Sequence, residues 1–492
     1  MNINSPNRMK LQVGSFRPSQ KLVAAAICVV GLISGLQAQT TYDWTNSSGG
    51  AWQTDANWSG TGVPGGNSTD KANLVGFGPF TITLSSNVTL DGVSLGSRDS
   101  ASLAASNITL DLQGYTINAL NTGAGAANSS LLARSSNSIG NVSMTITGGT
   151  FNGGVMLVGR SSSGGFWGNN SSTIRASGTT TTINMRGTGS SQPFMATNVI
   201  GGHGGAYLLI ENGATLNVTH SSLTVQGSSA SNGLSLLRVT GSGSNVTATG
   251  IPSANVLDRV MVRVIDNAGI EVLAQGTLTT DELYMAMGTT AGTLGTMLVS
   301  GTGSNVTAKV FFVAGGKLSP SQIPAAAAQN GLLQVNNGGV ATVSENFTVY
   351  GNGTVEVDRG SITVSGAGSS ALLSAGSSLN ITLNTTAQAV ALVVANGLTI
   401  TNANLNISLS NTFTASINDV FTIASRGSLI GTFAGKADLS TFQVGGYTFR
   451  INYNDASNIT LLTTAVPEPS VAACVFLGVG LLFAFRRFRR TC

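Results

Sequence analysis

Gly241-Ser242-Gly243-Ser244-Asn245-Val246-Thr247-Ala248 recurs sixty positions later as Gly301-Thr302-Gly303-Ser304-Asn305-Val306-Thr307-Ala308. Both copies follow a short alternating run and open a second one, with a Gly/Asn corner between. Strict alternation marks a half-buried strand, and Gly and Asn tolerate the positive φ of a tight corner. Variants of the unit recur as Ile210–Val218 (IENGATLNV), Val264–Val272 (VIDNAGIEV) and Val335–Val343 (VNNGGVATV). A further short apolar element follows most copies, as in Leu223–Gly227, Val310–Gly315 and Phe347–Gly351. The apolar anchors Ile210, Val239, Val264, Val299, Val335 and Val357 are read as equivalent, at spacings of 29, 25, 35, 36 and 22. Such irregularity suits a solenoid whose corner loops vary while its inward positions do not.

One strand–corner–strand unit has too little apolar surface to fold alone. Stacked at about 4.8 Å per rung, the units share one interior and pair their backbones above and below. The sequence therefore predicts an all-β fold, a right-handed parallel β-helix (β-solenoid) over residues 71–410. At roughly 20–25 residues per turn, the rod would be on the order of 70 Å long. An array of β-sandwiches is the competing arrangement.

Two flanks differ from the repeats. Residues 39–70 hold Trp44, Trp52 and Trp58 and are expected to form an N-terminal cap; a sugar-stacking patch is the alternative. Residues 411–465 carry longer alternation, as in Tyr447–Tyr453, and read as a small C-terminal β cap covering the last edge.

Composition fits this reading. Only 9% of the 492 residues are charged, 64 are Gly, and the three cysteines, Cys28, Cys474 and Cys492, lie near the ends. No disulfide or thiolate metal site is expected in the body. Setting aside four basic residues near each end and Glu468 leaves 15 basic and 18 acidic residues, so the body carries about −3. No basic patch remains to neutralise phosphates, which argues against nucleic acid as a partner.

The ends read as addresses. Residues 1–38 have the form of a signal peptide, with a basic stretch ending at Lys21, an apolar run from Leu22 to Leu36, and Ala38 for cleavage. This implies the general secretion machinery and a signal peptidase as partners. At the other end Val466-Pro467-Glu468-Pro469-Ser470 precedes an apolar segment, 471–485, expected to be a single transmembrane helix. Arg486, Arg487, Arg489 and Arg490 follow it as a cytoplasmic stop signal. Two prolines lock φ and remove donors, leaving an extended peptide for a membrane protease to grip.

Motif, apolar span and basic end, in this order across 466–492, resemble the PEP-CTERM sorting signal. That resemblance implies recognition and cutting near Pro467, Glu468 and Pro469 by an exosortase-type protease. The body is similar to proteins with autotransporter-associated β-strand repeats, on pattern and glycine placement. One departure is that a single apolar span stands where an autotransporter has its membrane barrel.

Chemistry is sparse. The closest acidic sets are Asp281 with Glu282, Glu356 with Asp358, and Asp266 with Glu271; Glu356 and Asp358 should share a strand face beside Arg359. The two histidines, His203 in a glycine corner and His220 after a strand, lack a Gly-x-Ser-x-Gly elbow to serve. Gly201 to Ala206 begins like a calcium-binding nonapeptide, but Ala206 stands where its aspartate belongs. No P-loop or dinucleotide fingerprint occurs, so no cofactor and no catalytic or metal residue is assigned. The Asn-x-Ser/Thr triplets follow from strand composition.

The expectation is an exported, non-enzymatic structural or adhesive protein, held transiently in the inner membrane and then released to the cell surface or extracellular matrix. Extracellular polysaccharide is its candidate ligand. The alternative is a surface-anchored glycan-active β-helix enzyme such as a polysaccharide lyase. Three or more carboxylates or basic groups converging on one groove would favour that alternative.

Overall fold

The computed structural model describes residues 40–75, 78–95, 106–120, 130–133, 141–159, 171–187, 197–201, 205–227, 234–250, 259–287, 291–316, 325–326 and 328–467. The chain divides into two units at Thr40, and the described residues lie almost wholly in the second, which begins at Thr41. Signal residues 1–38, the motif residues Glu468 and Pro469, segment 471–485 and the four terminal arginines lie outside the described residues. Among the described residues, no helix is long and apolar enough to cross a membrane.

The second unit is all-β and built from stacked parallel coils. A typical coil has three strands, for example Ala206–Glu211, Thr215–Thr219 and Ser222–Gln226. Each pairs in parallel with its counterpart in the next coil: Ser235–Thr240, Asn245–Ala248 and Met261–Ile265. The first strands of successive coils form one face, a 13-stranded sheet; the second and third strands form two further faces joined into a 24-stranded sheet. In later coils one strand bends across the corner between those two faces. In Thr277–Met285, residues 277–280 lie on the second face and 282–285 on the third.

Period-two burial makes the core. On the first face Ile146, Ala176, Ile210, Val239, Val272, Val299, Val335, Val357 and Ile381 stand in register and point inward. Val264, grouped above with these anchors, belongs elsewhere. It sits on the third face against Val225, and Val272 takes the position in line with Val239. The corner Asp266-Asn267 therefore joins one coil to the next. The corner Glu211-Asn212-Gly213-Ala214, by contrast, joins two faces of one coil.

That first corner is tight for a stated reason. Asn212 and Gly213 have φ of +56° and +87°, and a Cβ on Gly213 would come within 2.6 Å of Thr179 in the coil below. Ser244 and Ser304, the serines of the opening repeat, are fully buried at this corner. Ser244 Oγ accepts the Gly213 N–H at 2.9 Å, and Ser304 Oγ accepts the Gln275 N–H at 3.1 Å. The repeated motif is a staple between adjacent coils.

Both ends of the stack are closed by aromatic side chains. At the start, Trp44, Trp52 and Trp58 are buried, with Trp58 edge-on to both others at 5.0 and 4.8 Å. At the far end, Val420–Thr432 pairs in parallel with Leu392–Thr401 and antiparallel with Asn458–Ala465. Tyr447–Asp455 and Thr441–Val444 extend that antiparallel layer around Phe421, Phe449 and Phe413.

Candidate functional site

Alternation that sends aliphatics inward sends every second side chain out, and register lines these up along the stack. On the second face two outward ranks run through nine coils. One runs from Thr116 through Thr150, Thr182 and Thr215 to Ser361, the other from Asn118 through Asn152, Asn184 and Asn217 to Thr363. All eighteen side chains are half-buried and none is charged. Asn152, Asn184 and Asn217 each donate Nδ2 to the preceding asparagine's Oδ1, at 2.9, 2.9 and 2.8 Å.

The first face differs toward its end. Over four consecutive coils Gln334, Glu356, Asn380 and Asn406 form one outward rank, and Asp358, Thr382 and Ser408 the next, with Asn336 lining the same side. Between them lies an open groove of about 420 Å³, floored also by Val357 and Ile407. Glu356 is held from both sides: Gln334 Nε2 donates to Oε2 at 2.9 Å and Asn380 Nδ2 to Oε1 at 3.2 Å. Asn406 Nδ2 continues the line to Asn380 Oδ1 at 2.9 Å. Asp358 accepts from Asn384 Nδ2 at 3.1 Å and has Arg359 Nε at 3.4 Å. The sidewall residue Asn336 carries a buried Oδ1 without a hydrogen-bond partner.

Glu356 and Asp358 thus share a strand face beside Arg359. The amides that bind them come from the coils on either side, and their sequence separations of 22 to 26 residues hid them from a sequence reading. Two carboxylates meet in this groove, among amides and hydroxyls.

The other acidic sets are structural. Asp281 sits buried at the bend of its strand, accepts the Gly250 and Val260 N–H groups at 2.6 and 3.0 Å, and pairs with Lys309 at 2.8 Å. Burial raises its pKa, but these donors and the ammonium charge outweigh that, leaving it below the usual carboxylate range. Glu282 accepts the Tyr284 hydroxyl at 2.6 Å and lies 3.7 Å from Arg259, which also binds Glu345 at 2.7 Å. Burial, then the Glu282 charge, hold the Tyr284 phenol far above its ordinary pKa.

Asp266 and Glu271 are brought to different places. Asp266 turns a corner at φ +57°, with its N–H bonded to Gln329 Oε1, while Glu271 points outward to Arg238 at 2.6 Å. His220 is also a corner residue, at φ +56°, and His203 lies outside the described residues. Among the described residues no group of three or more His, Cys, Asp or Glu side chains could hold a metal. Pro467 closes the described chain beside Gly446, where an added Cβ would stand 3.1 Å from its ring.

No known protein-family profile matches this chain. No curated protein matches it either.

Proposed function

We propose that this chain is an exported surface protein whose solenoid, wound in the right-handed sense, has a structural or adhesive role. The observation that carries the reading is the pair of uncharged ranks on the second face, repeated through nine coils. Seventeen of the eighteen residues carry a hydroxyl or an amide, Val340 being the exception, and a surface that offers similar contacts coil after coil suits a scaffold or an adhesive role. Charged side chains are mostly spent within the fold: Glu211 on Arg175, Glu271 on Arg238, Asp281 on Lys309.

Residues 1–38 deliver the chain outward and are removed. The tail, 466–492, holds it in the inner membrane through segment 471–485 until an exosortase-type protease cuts near Pro467, Glu468 and Pro469. Arg486, Arg487, Arg489 and Arg490 stop transfer on the cytoplasmic side. The solenoid then joins the envelope or extracellular matrix.

Intact-mass measurement of the mature protein from its native host tests this. Wild type should have lost both ends, and a variant with Pro467, Glu468 and Pro469 changed to alanine should retain its C-terminus. Identical C-terminal masses for the two would refute the sorting reading.

A further inference from the structure

We infer that the groove on the first face of the last coils binds a neutral oligosaccharide or polysaccharide segment. This rests on the surface-display reading and names the ligand that the displayed solenoid would hold. Four coils at about 4.8 Å spacing give the groove a length of about 14 Å, room for a short oligosaccharide laid along the stack.

Its lining is a polyol's complement. Sugar hydroxyls both donate and accept, so a matching wall must offer both in fixed positions. Glu356 uses one lone pair on each oxygen for Gln334 and Asn380, which lock its plane and leave acceptor sites free. Asn406 and Ser408 are exposed and add donors and acceptors.

Charge selects among glycans. Glu356 and Asp358 repel a uronate, so the ligand class is neutral. A bare cation is disfavoured because each Glu356 oxygen already faces an amide N–H, which presents positive hydrogen to the site. With no aromatic platform among its lining residues, one groove should bind weakly, with Kd on the order of 1 mM. Many copies on a surface would supply avidity.

The test titrates the purified full-length chain with maltotetraose, cellotetraose, mannotetraose, tetragalacturonate and calcium chloride, read by ligand-observed NMR and calorimetry. Binding is expected to at least one neutral tetrasaccharide and not to tetragalacturonate or to calcium alone. Glu356→Ala and Asn406→Leu should each weaken it about tenfold, while Thr145→Ala, on the same face several coils away, should not. Asn406 is exposed on the last strand of the sheet, so its variant reports on the groove even should Glu356→Ala fold poorly. Binding to none of the neutral sugars, equal binding by wild type and Asn406→Leu, or binding of the uronate or calcium alone would each overturn the inference. Surface display would survive any of these outcomes, because the intact-mass measurement reads it separately.

Discussion

Ser304 Oγ accepts the backbone N–H of Gln275 at 3.1 Å and donates to the Ser300 carbonyl at 2.7 Å, tying two coils through one hydroxyl. Two coils earlier Ser244 Oγ accepts the Gly213 N–H, and Thr181 Oγ1 accepts the Gly148 N–H and donates to the Ser177 carbonyl, each from a buried position. Replacing Ser304 with alanine leaves a corner N–H and a carbonyl without their partner. Leaving buried polar groups unpaired costs about 1–3 kcal/mol. Ser304→Ala should lower stability by that amount in chemical denaturation, and Ser242→Ala, at an exposed position of the same motif, by less than about 0.5 kcal/mol. Equal losses would mean that the hydroxyl staples nothing.

Asp281 predicts an acid limb. Its carboxylate ties the base of the segment between Gly250 and Val260 and pairs with Lys309. Its folded pKa is depressed, so its contribution is full above the unfolded value of 3.8 and is lost as pH falls through the folded value. Asp281→Asn should reduce stability at pH 7 and flatten the part of the acid unfolding curve below about pH 4. An acid limb of unchanged steepness would show that other carboxylates govern it.

Tyr453 predicts an alkaline limb. Its hydroxyl accepts the Phe433 N–H at 3.1 Å and donates to the Lys436 carbonyl at 2.9 Å, inside the terminal β layer. Burial raises its pKa, the Phe433 N–H works against this, and Asp438 adds to it, for a net value of about 12. The unfolded chain ionises near 10, so this group's stabilisation is complete below pH 10 and disappears as pH rises to 12. Tyr453→Phe should be destabilised by about 1–2 kcal/mol at pH 7 and should lose less stability than wild type between pH 10 and 12. Parallel alkaline titrations of the two proteins would contradict the assignment.

These relationships explain what the sequence could and could not convey. Alternation and Gly/Asn corners were legible because each is encoded within about ten consecutive residues, as in Ile210–Val218. The error at Val264 has the same origin. Asp266 turns at φ +57°, Asn212 at +56° and Asn337 at +53°, so two different corners use one local conformation and one local sequence signature. Only inter-coil pairing distinguishes them, and pairing depends on loops of irregular length. The groove was half legible for that reason. Glu356 and Asp358 are neighbours in sequence, but Gln334, Asn380 and Asn406 reach them only through register.

The asparagine rank makes a cooperative prediction. Asn184 donates to Asn152 and accepts from Asn217, so its side chain is bonded on both sides along the stack. Stacked amides polarise one another, and removing one interrupts a line rather than a single bond. Asn184→Ala should cost about 1–2 kcal/mol, although the position is only half-buried. Asn152 and Asn184 are adjacent members, so their effects should not add. After the first substitution, the second has one fewer amide to lose, and the double variant should be less destabilised than the two losses combined, by about 0.5 kcal/mol or more. Thr145→Ala combined with Asn184→Ala is the control, because those side chains lie on different faces and should be additive. Strict additivity for the asparagine pair would reduce the rank to separate surface amides, each satisfied as well by water as by its neighbour.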